Sequence, residues 1–192
     1  MKKVLIIGYG DIGSRIAARL PKQEFIGVSR SAPADLPNVE FIQQDWMKES
    51  KLILPSIDFS TIVLILKPTS PDINGYQRGF LDTSYHMMDF FNNKISYKKL
   101  LIVTSTRVYG LSNGREITEA VKPLPDDQQA RIILEYEEFV SRESKIKPLI
   151  LRPSGLYDEK IHWMKNHVDT YNGEKYPLRF AEANMFSRTN LA

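Results

Sequence analysis

The sequence contains no cysteine, and that absence removes disulfides, thiolate catalysis and cysteine–zinc sites together. No apolar run reaches the length that a membrane span needs. A strand pattern begins within the first few residues, so no secretory leader is expected; together these features suit a cytoplasmic protein with no membrane partner. Histidine is scarce. His86, His162 and His167 carry no metal-ligand spacing except for the five-residue step of the last pair, which has no acids arranged around it, so no metal site is expected. Basic residues are not gathered into a run either: the 26 lysines and arginines are scattered among 23 acids. The net charge of +3 admits an anionic small ligand but not the concentrated patch of a nucleic-acid binder. Internal repeats and low-complexity segments are absent as well.

What is present suffices for a folded domain: 192 residues, 42% of them hydrophobic and 26% charged. The most informative stretch comes first. Val4-Leu5-Ile6-Ile7 is an unbroken apolar run, the mark of a strand buried on both faces in a parallel sheet. Gly8, Gly10 and Gly13 follow in the spacing Gly-x-Gly-x-x-Gly. Ile12, Ile16, Ala17 and Leu20 then keep helical spacing until Pro21 ends it. In such a strand–turn–helix, the first glycine permits the tight turn and the second makes room for a pyrophosphate. The third lets helix and strand pack closely. The phosphates would rest on the N–H groups of the helix that opens at Asp11, Ile12 and Gly13. The alternative is a glycine-rich turn without a ligand.

A second strand, Phe25 to Ser29, ends at Arg30, where the adenosine ribose would be read. An acid at this tip selects NAD and an arginine suits the 2′-phosphate of NADP; Ser29-Arg30-Ser31 has no acid, so NADP is expected over NAD unless Arg30 is a solvated surface charge. Val39 to Gln43 forms a third strand. After it, Asp45 is placed to accept from the adenine amine, and Trp46 either covers that pocket or anchors the core. Thr61 to Leu66 is the fourth strand. It runs into Lys67-Pro68-Thr69-Ser70-Pro71 at the carboxyl end, where open α/β sheets bind ligands. Leu66, Lys67 and Pro68 are therefore candidate cofactor contacts, with Lys67 either an anion contact or a solvated lysine.

A long helix from Ile73 to Phe91 carries Tyr76, Phe80, Tyr85, Met88 and Phe91 as core or dimer contacts. Leu100 to Val103 is the fifth strand, a helix follows from about Asp127 to Lys145, and Pro148 to Pro153 is the sixth strand and its exit. Strands alternating with helices predict a doubly wound parallel sheet in a three-layer α/β/α sandwich, order 3-2-1-4-5-6, the NAD(P)-binding Rossmann fold. Past Arg152 the periodicity dissolves. A helix over residues 160–170 is expected there, followed by a polar, aperiodic end.

Three motifs carry a resemblance. They are Gly8-Tyr9-Gly10-Asp11-Ile12-Gly13, Thr104-Ser105-Thr106-Arg107-Val108-Tyr109-Gly110 and Leu151-Arg152-Pro153-Ser154-Gly155-Leu156-Tyr157. Over residues 3–157 the chain resembles the extended short-chain dehydrogenase/reductases, the NAD-dependent epimerase/dehydratase family, in an atypical form. The resemblance implies that Ser105 binds the reacting oxygen and that Thr104 and Pro153 lie against the cofactor, the last near the nicotinamide. It also implies a seventh strand and a C-terminal substrate region. Residues 158–192 are too few for that region, so a shortened substrate lobe is expected beside an NAD(P)-binding domain at residues 1–157.

One part of the pattern is missing. The family's Tyr-x-x-x-Lys, a phenol made acidic by its lysine, belongs on the helix after the fifth strand. That helix holds only Tyr136, with Val140 four residues on; Tyr171-x-x-x-Lys175 follows the sixth strand and reads as a decoy. Tyr109 is the nearest phenol to Ser105 in sequence and the expected substitute. The resemblance thus implies an oxidoreductase or isomerase acting on a small carbonyl, hydroxyl or nucleotide-sugar substrate. Its rival is a non-catalytic NADP(H)-binding module. A homodimer through the helices after the fourth and fifth strands is the expected assembly.

Overall fold

The computed structural model describes residues 2–31, 35–47, 52–111, 116–157 and 188–190. Within them, β1 (Val4–Ile7) leads into α1 (Asp11–Arg19), β2 (Phe25–Ser29) and β3 (Val39–Gln43). β4 (Asp58–Ile65) is followed by a continuous helical stretch: α2 (Ile73–Tyr76), a π-helical turn (Gln77–Asp82) and α3 (Thr83–Lys94). Then come β5 (Ser96–Val103), a 3₁₀ turn (Thr106–Tyr109), α4 (Gln128–Glu143) and β6 (Leu149–Leu151). β7 (Gly155–Tyr157) and β8 (Arg188–Asn190) pair with each other outside the main sheet.

The six strands lie in the order β3-β2-β1-β4-β5-β6 and every pair is parallel. This is the predicted doubly wound order. Alternation along each strand divides the core into two layers. Leu5, Ile7, Ile26, Val28, Ile62, Leu64, Leu100 and Ile102 face one way and meet Phe80, Phe91, Ile133, Tyr136 and Val140 from α3, α4 and the π turn. Ile6, Phe25 and Val63 face the other way and meet Tyr9 and Ala17 at α1. Each fully buried Leu, Ile or Phe contributes roughly 1.5–3 kcal/mol, which makes these two layers the main driving force for the fold.

Some boundaries differ from the sequence reading. β4 begins three residues early because Phe59 is fully buried while Asp58 is held by Lys2 at 2.5 Å. β5 also begins early, at Ser96. Tyr97 packs inward, but the exposed Lys98 and Lys99 interrupt its apolar run at the solvated entry edge of the sheet. The helix after β4 extends to Lys94 and contains the π turn, which periodicity did not reveal. Among the described residues no helix lies between β2 and β3 or between β3 and β4. Instead Asn38, just before β3, donates from Nδ2 to the carbonyls of Ala17, Leu20 and Gln23 at 3.0, 3.1 and 3.1 Å, closing the C-terminal end of α1. The helix expected over residues 160–170 lies outside the described residues. So does the rest of the 158–192 region apart from β8, a strand where an aperiodic end was expected.

Candidate functional site

Because all six strands are parallel, their carboxyl ends share one edge of the sheet. The chain reverses direction across the sheet between β1 and β4, which opens the crevice where ligands bind in such folds. The residues singled out in the sequence follow the strands onto that edge. Gly8 to Gly13 follow β1, Arg30 follows β2, and Asp45 and Trp46 follow β3. Leu66, Lys67 and Pro68 follow β4, Thr104 and Ser105 follow β5, and Arg152 and Pro153 follow β6.

At the crevice, Gly8 adopts φ +84°, the left-handed region that a side chain disfavours. A Cβ there would also overlap the Ile65 carbonyl oxygen, so β1 and β4 meet as closely as backbones allow. Gly8 and Tyr9 both donate to the Val28 carbonyl at 3.0 Å, which fastens the turn to β2. Gly10 forms the N-cap of α1 and provides no side-chain cap, so the first-turn N–H groups stay uncapped. A Cβ on Gly10 would meet nothing nearer than 3.9 Å: the space above it is open. Asp11 is turned toward Arg15, whose Nε donates to its carboxylate at 3.0 and 3.1 Å. Ile12 is half-buried behind it.

Gly13 does what the spacing predicts, with an added partner. Its missing Cβ would lie 3.2 Å from Ile6 Cγ2 and 3.0 Å from Tyr9 Cδ2. The Tyr9 ring is fully buried, and the space over β2 exists because residue 27 is also glycine, where a Cβ would stand 2.6 Å from Tyr9 Cγ. Burial, and secondarily the charge of Asp35, pushes the Tyr9 phenol above its ordinary range. The signal in the sequence was Gly27, a glycine inside a strand.

On the adenosine side, Arg30 is exposed and makes no hydrogen bond or ion pair among the described residues. Asp45 Oδ1 accepts from Met47 N–H at 3.3 Å. Trp46 is half-buried against the larger core layer.

At the other end of the crevice, two arginines organise the residues after β5 and β6. Arg107 donates from Nε and Nη2 to Asp127 Oδ2 at 3.0 and 2.9 Å, and from Nη2 to Gln129 Oε1 at 2.7 Å. Its Nη1 donates to the Tyr76 hydroxyl at 3.1 Å. Gln129 in turn donates to the Pro71 carbonyl at 2.8 Å, so the loop after β4 is tied to the first turn of α4. Arg152 binds the carboxylate of Glu137, which is 1% exposed, and donates from Nη1 to the Tyr109 hydroxyl at 2.8 Å. Thr104 Oγ1 also donates to Glu137, at 2.6 Å. The hydrogen bond to Glu137 is the main reason the Arg152 guanidinium binds its proton more tightly than usual.

These contacts bear on each phenol. The Tyr109 oxygen, expected as the substitute acid, is an acceptor for Arg152, whose guanidinium lies 5.1 Å over the ring. Tyr136 is fully buried, its hydroxyl has no hydrogen-bond partner among the described residues, and burial drives its phenol far above the range of a working acid. Ser105 caps the 3₁₀ turn. Its Oγ accepts from Arg107 N–H at 3.1 Å, which leaves its own O–H free to donate. Gly110 closes that turn at φ +63°, where a Cβ would stand 2.5 Å from the Leu124 carbonyl oxygen.

Glu137 has a signal in the sequence. It falls in the apolar stripe of α4 with Ile133 and Val140, and a carboxylate in such a stripe asks for a buried cation. His162, His167, Tyr171 and Lys175 lie outside the described residues, among which no group of three or more metal-ligating side chains is placed to hold an ion. No described helix is long and apolar enough to cross a membrane. The helices expected to form a dimer face pack mainly on the core: Phe80, Met88 and Phe91 are buried, and Tyr85, 44% exposed, meets Phe139 edge-on at 4.5 Å.

No family model matches the sequence, and no curated protein does. Solved structures do. UDP-glucuronic acid 4-epimerase from Bacillus cereus, in complex with UDP-glucuronic acid and NAD, is similar over 81% of this chain, with TM-score 0.65 and 18% identity. The fold is that of the nucleotide-sugar epimerases. UDP-N-acetylglucosamine 4-epimerase from Methanobrevibacter ruminantium M1 matches over 84% of the chain at TM-score 0.62 and 20% identity. A UDP-galactose 4-epimerase matches over 88% at TM-score 0.68 and 13% identity. The chain spans 57%, 59% and 64% of the lengths of these three epimerases, respectively. The fold implied by the three sequence motifs is therefore the fold that is found.

Proposed function

We propose that the chain binds a nicotinamide dinucleotide across the β1–β4 crevice and acts as an oxidoreductase or isomerase on a small carbonyl, hydroxyl or nucleotide-sugar substrate. The observation that carries this reading is the cradle at Gly10. There the open space, the uncapped first turn of α1 and the close approach of Gly8 to β4 together fit a pyrophosphate. Gly8, Gly10, Asp11, Ile12 and Gly13 would hold the phosphates, with Arg30, Asp45 and Trp46 at the adenosine end. Leu66, Lys67, Pro68, Thr104 and Pro153 would border the nicotinamide half.

When bound, the dinucleotide supplies or accepts the hydride. The chain's own residues would orient the substrate: Ser105 Oγ accepts from Arg107 N–H, and its own O–H would donate to the reacting oxygen. NAD is the dinucleotide in the Bacillus cereus epimerase. Arg30 adds, on this chain, a cation unpaired among the described residues where a 2′-phosphate would lie, and supports NADP as well.

A second reading, a dinucleotide-binding module without turnover, is favoured by α4, whose only tyrosine is sealed in the core. Both readings are tested by thermal shift of the purified chain against NAD(H), NADP(H) and nucleotide sugars, followed by single-turnover hydride transfer. Stabilisation by a dinucleotide with hydride transfer supports the enzyme, and stabilisation alone supports the module. No stabilisation by any dinucleotide rejects both.

A further inference from the structure

The register of β4 against β5 brings together two residues that the fold leaves chemically available. Ile65 pairs with Val103. Two residues beyond that last pair stand Lys67, past the end of β4, and Ser105, past the end of β5, both at the carboxyl edge of neighbouring parallel strands. Each backbone is fixed there. A Cβ on Gly79 would overlap the Lys67 carbonyl oxygen, so helix and loop touch directly, and Pro68 stiffens the exit. Ser105 is extended at φ −157° and ψ 147°. On either side of it, Thr104 N–H donates to the Leu151 carbonyl at 2.8 Å and Thr106 N–H to the Pro153 carbonyl at 3.2 Å.

The other candidates at this end of the sheet are committed. Arg107 and Arg152 are paired with Asp127 and Glu137. The phenols of Tyr76 and Tyr109 accept from those arginines. Lys67, by contrast, is exposed and has no hydrogen bond or ion pair among the described residues. A guanidinium is not a practical proton donor, whereas an ammonium is.

We propose that Lys67 and Ser105 form a pair around the reacting oxygen, with Lys67 as the proton donor in place of the Tyr-x-x-x-Lys that α4 lacks. The assignment rests on the oxidoreductase reading above. As a hydride from the reduced nicotinamide forms the new C–H bond, the carbonyl π bond breaks toward oxygen. That oxygen accepts a hydrogen bond from Ser105 O–H and takes a proton from Lys67 Nζ. The neutral amine is reprotonated by water, since Lys67 is exposed. In the reverse direction the amine takes the hydroxyl proton while hydride returns to the oxidised nicotinamide.

Two measurements test the pair. In the first, lysines of the whole chain are acetylated with acetic anhydride, with and without NADH or NADPH, and quantified by peptide mass spectrometry. Lys67 should be protected several-fold by a dinucleotide that stabilises the protein, while Lys94 and Lys147 are unaffected. Unchanged labelling of Lys67 under a bound dinucleotide overturns the placement. The second is single-turnover hydride transfer to a keto nucleotide sugar and a simple diketone. Lys67→Met and Lys67→Arg should each lose about 10²- to 10⁴-fold at saturating dinucleotide. A wild-type rate in Lys67→Met, a near-wild-type rate in Lys67→Arg, or no wild-type transfer with dinucleotide bound overturns the donor role and leaves the binding reading intact. Failure of every dinucleotide to bind removes the reading in Proposed function, and the pair with it.

Discussion

Arg152 closes on Glu137 with Nη2 2.6 Å from Oε2 and Nε 3.1 Å from both carboxylate oxygens. The pair joins the exit of β6 to the middle of α4 with side chains only 20% and 2% exposed. Removing one partner strands a buried charge. Glu137→Ala should therefore cost about 3–5 kcal/mol, whereas replacing both partners by Leu and Met should recover most of it. Denaturant unfolding of the three proteins measures this; a single-variant loss under about 1 kcal/mol would contradict the burial.

The glycines of the first turn should separate folding from binding. Gly8→Ala places a Cβ against the Ile65 carbonyl in a left-handed backbone, so the protein should be strongly destabilised or insoluble. Gly10→Val meets open space in the fold and should unfold near wild type, yet lose dinucleotide binding. Circular dichroism melts with and without cofactor distinguish the two. A Gly10→Val protein that keeps its cofactor shift would place the dinucleotide elsewhere.

Arg30 should govern the choice of dinucleotide. A charge-assisted contact to a 2′-phosphate is worth roughly 1.5–3 kcal/mol, or about 10- to 100-fold in affinity. Titration of Arg30→Ala should show that loss for NADP and almost none for NAD. An equal loss for both would make Arg30 a general electrostatic contact.

Tyr136 carries a buried hydroxyl with no hydrogen-bond partner among the described residues, a cost of about 1–3 kcal/mol in the folded state. Tyr136→Phe should be neutral or more stable by roughly 1 kcal/mol and should leave hydride transfer untouched. Reduced turnover at unchanged stability would return the phenol of α4 to the chemistry.

The Asp72 cap should make the loop before α2 acid-sensitive. Its carboxylate is held below the ordinary range, first by the Gly75 N–H at 2.6 Å and then by Ser70. A lowered folded-state pKa stabilises above the unfolded value near about pH 4, and the gain fades as pH falls through the folded value. Wild type should thus exceed Asp72→Ala in stability at neutral pH, with the two converging in strong acid. A gap that persists unchanged in strong acid would assign it to packing.

The sheet was legible because its central strands are uninterrupted apolar runs, and their order followed from alternation with helices. The glycine turn was legible for the same reason: spacing alone distinguishes Gly8, Gly10 and Gly13. The polar half of the site was not. Asp127 and Gln129 at the start of α4 and Tyr76 at the end of α2 meet at Arg107, and nothing in local periodicity joins segments so far apart. The π turn escaped because Gln77 to Asp82 reads as ordinary helix; its wider turn becomes visible only in backbone bonds such as Thr83 N–H to the Arg78 carbonyl, five residues back.

The strand β1 is central in the sheet, paired with β2 on one side and β4 on the other. On the ribosome, Val4 to Ile7 can gain β2 soon after emergence, but its second edge waits until Asp58 to Ile65 has been synthesised. At about 5–20 residues per second that interval lasts a few seconds. During it the most apolar backbone in the chain offers unpaired N–H and C=O groups to any other nascent strand. Expression yield should therefore respond to elongation rate and to trigger-factor-type chaperones more than to the final stability of the domain.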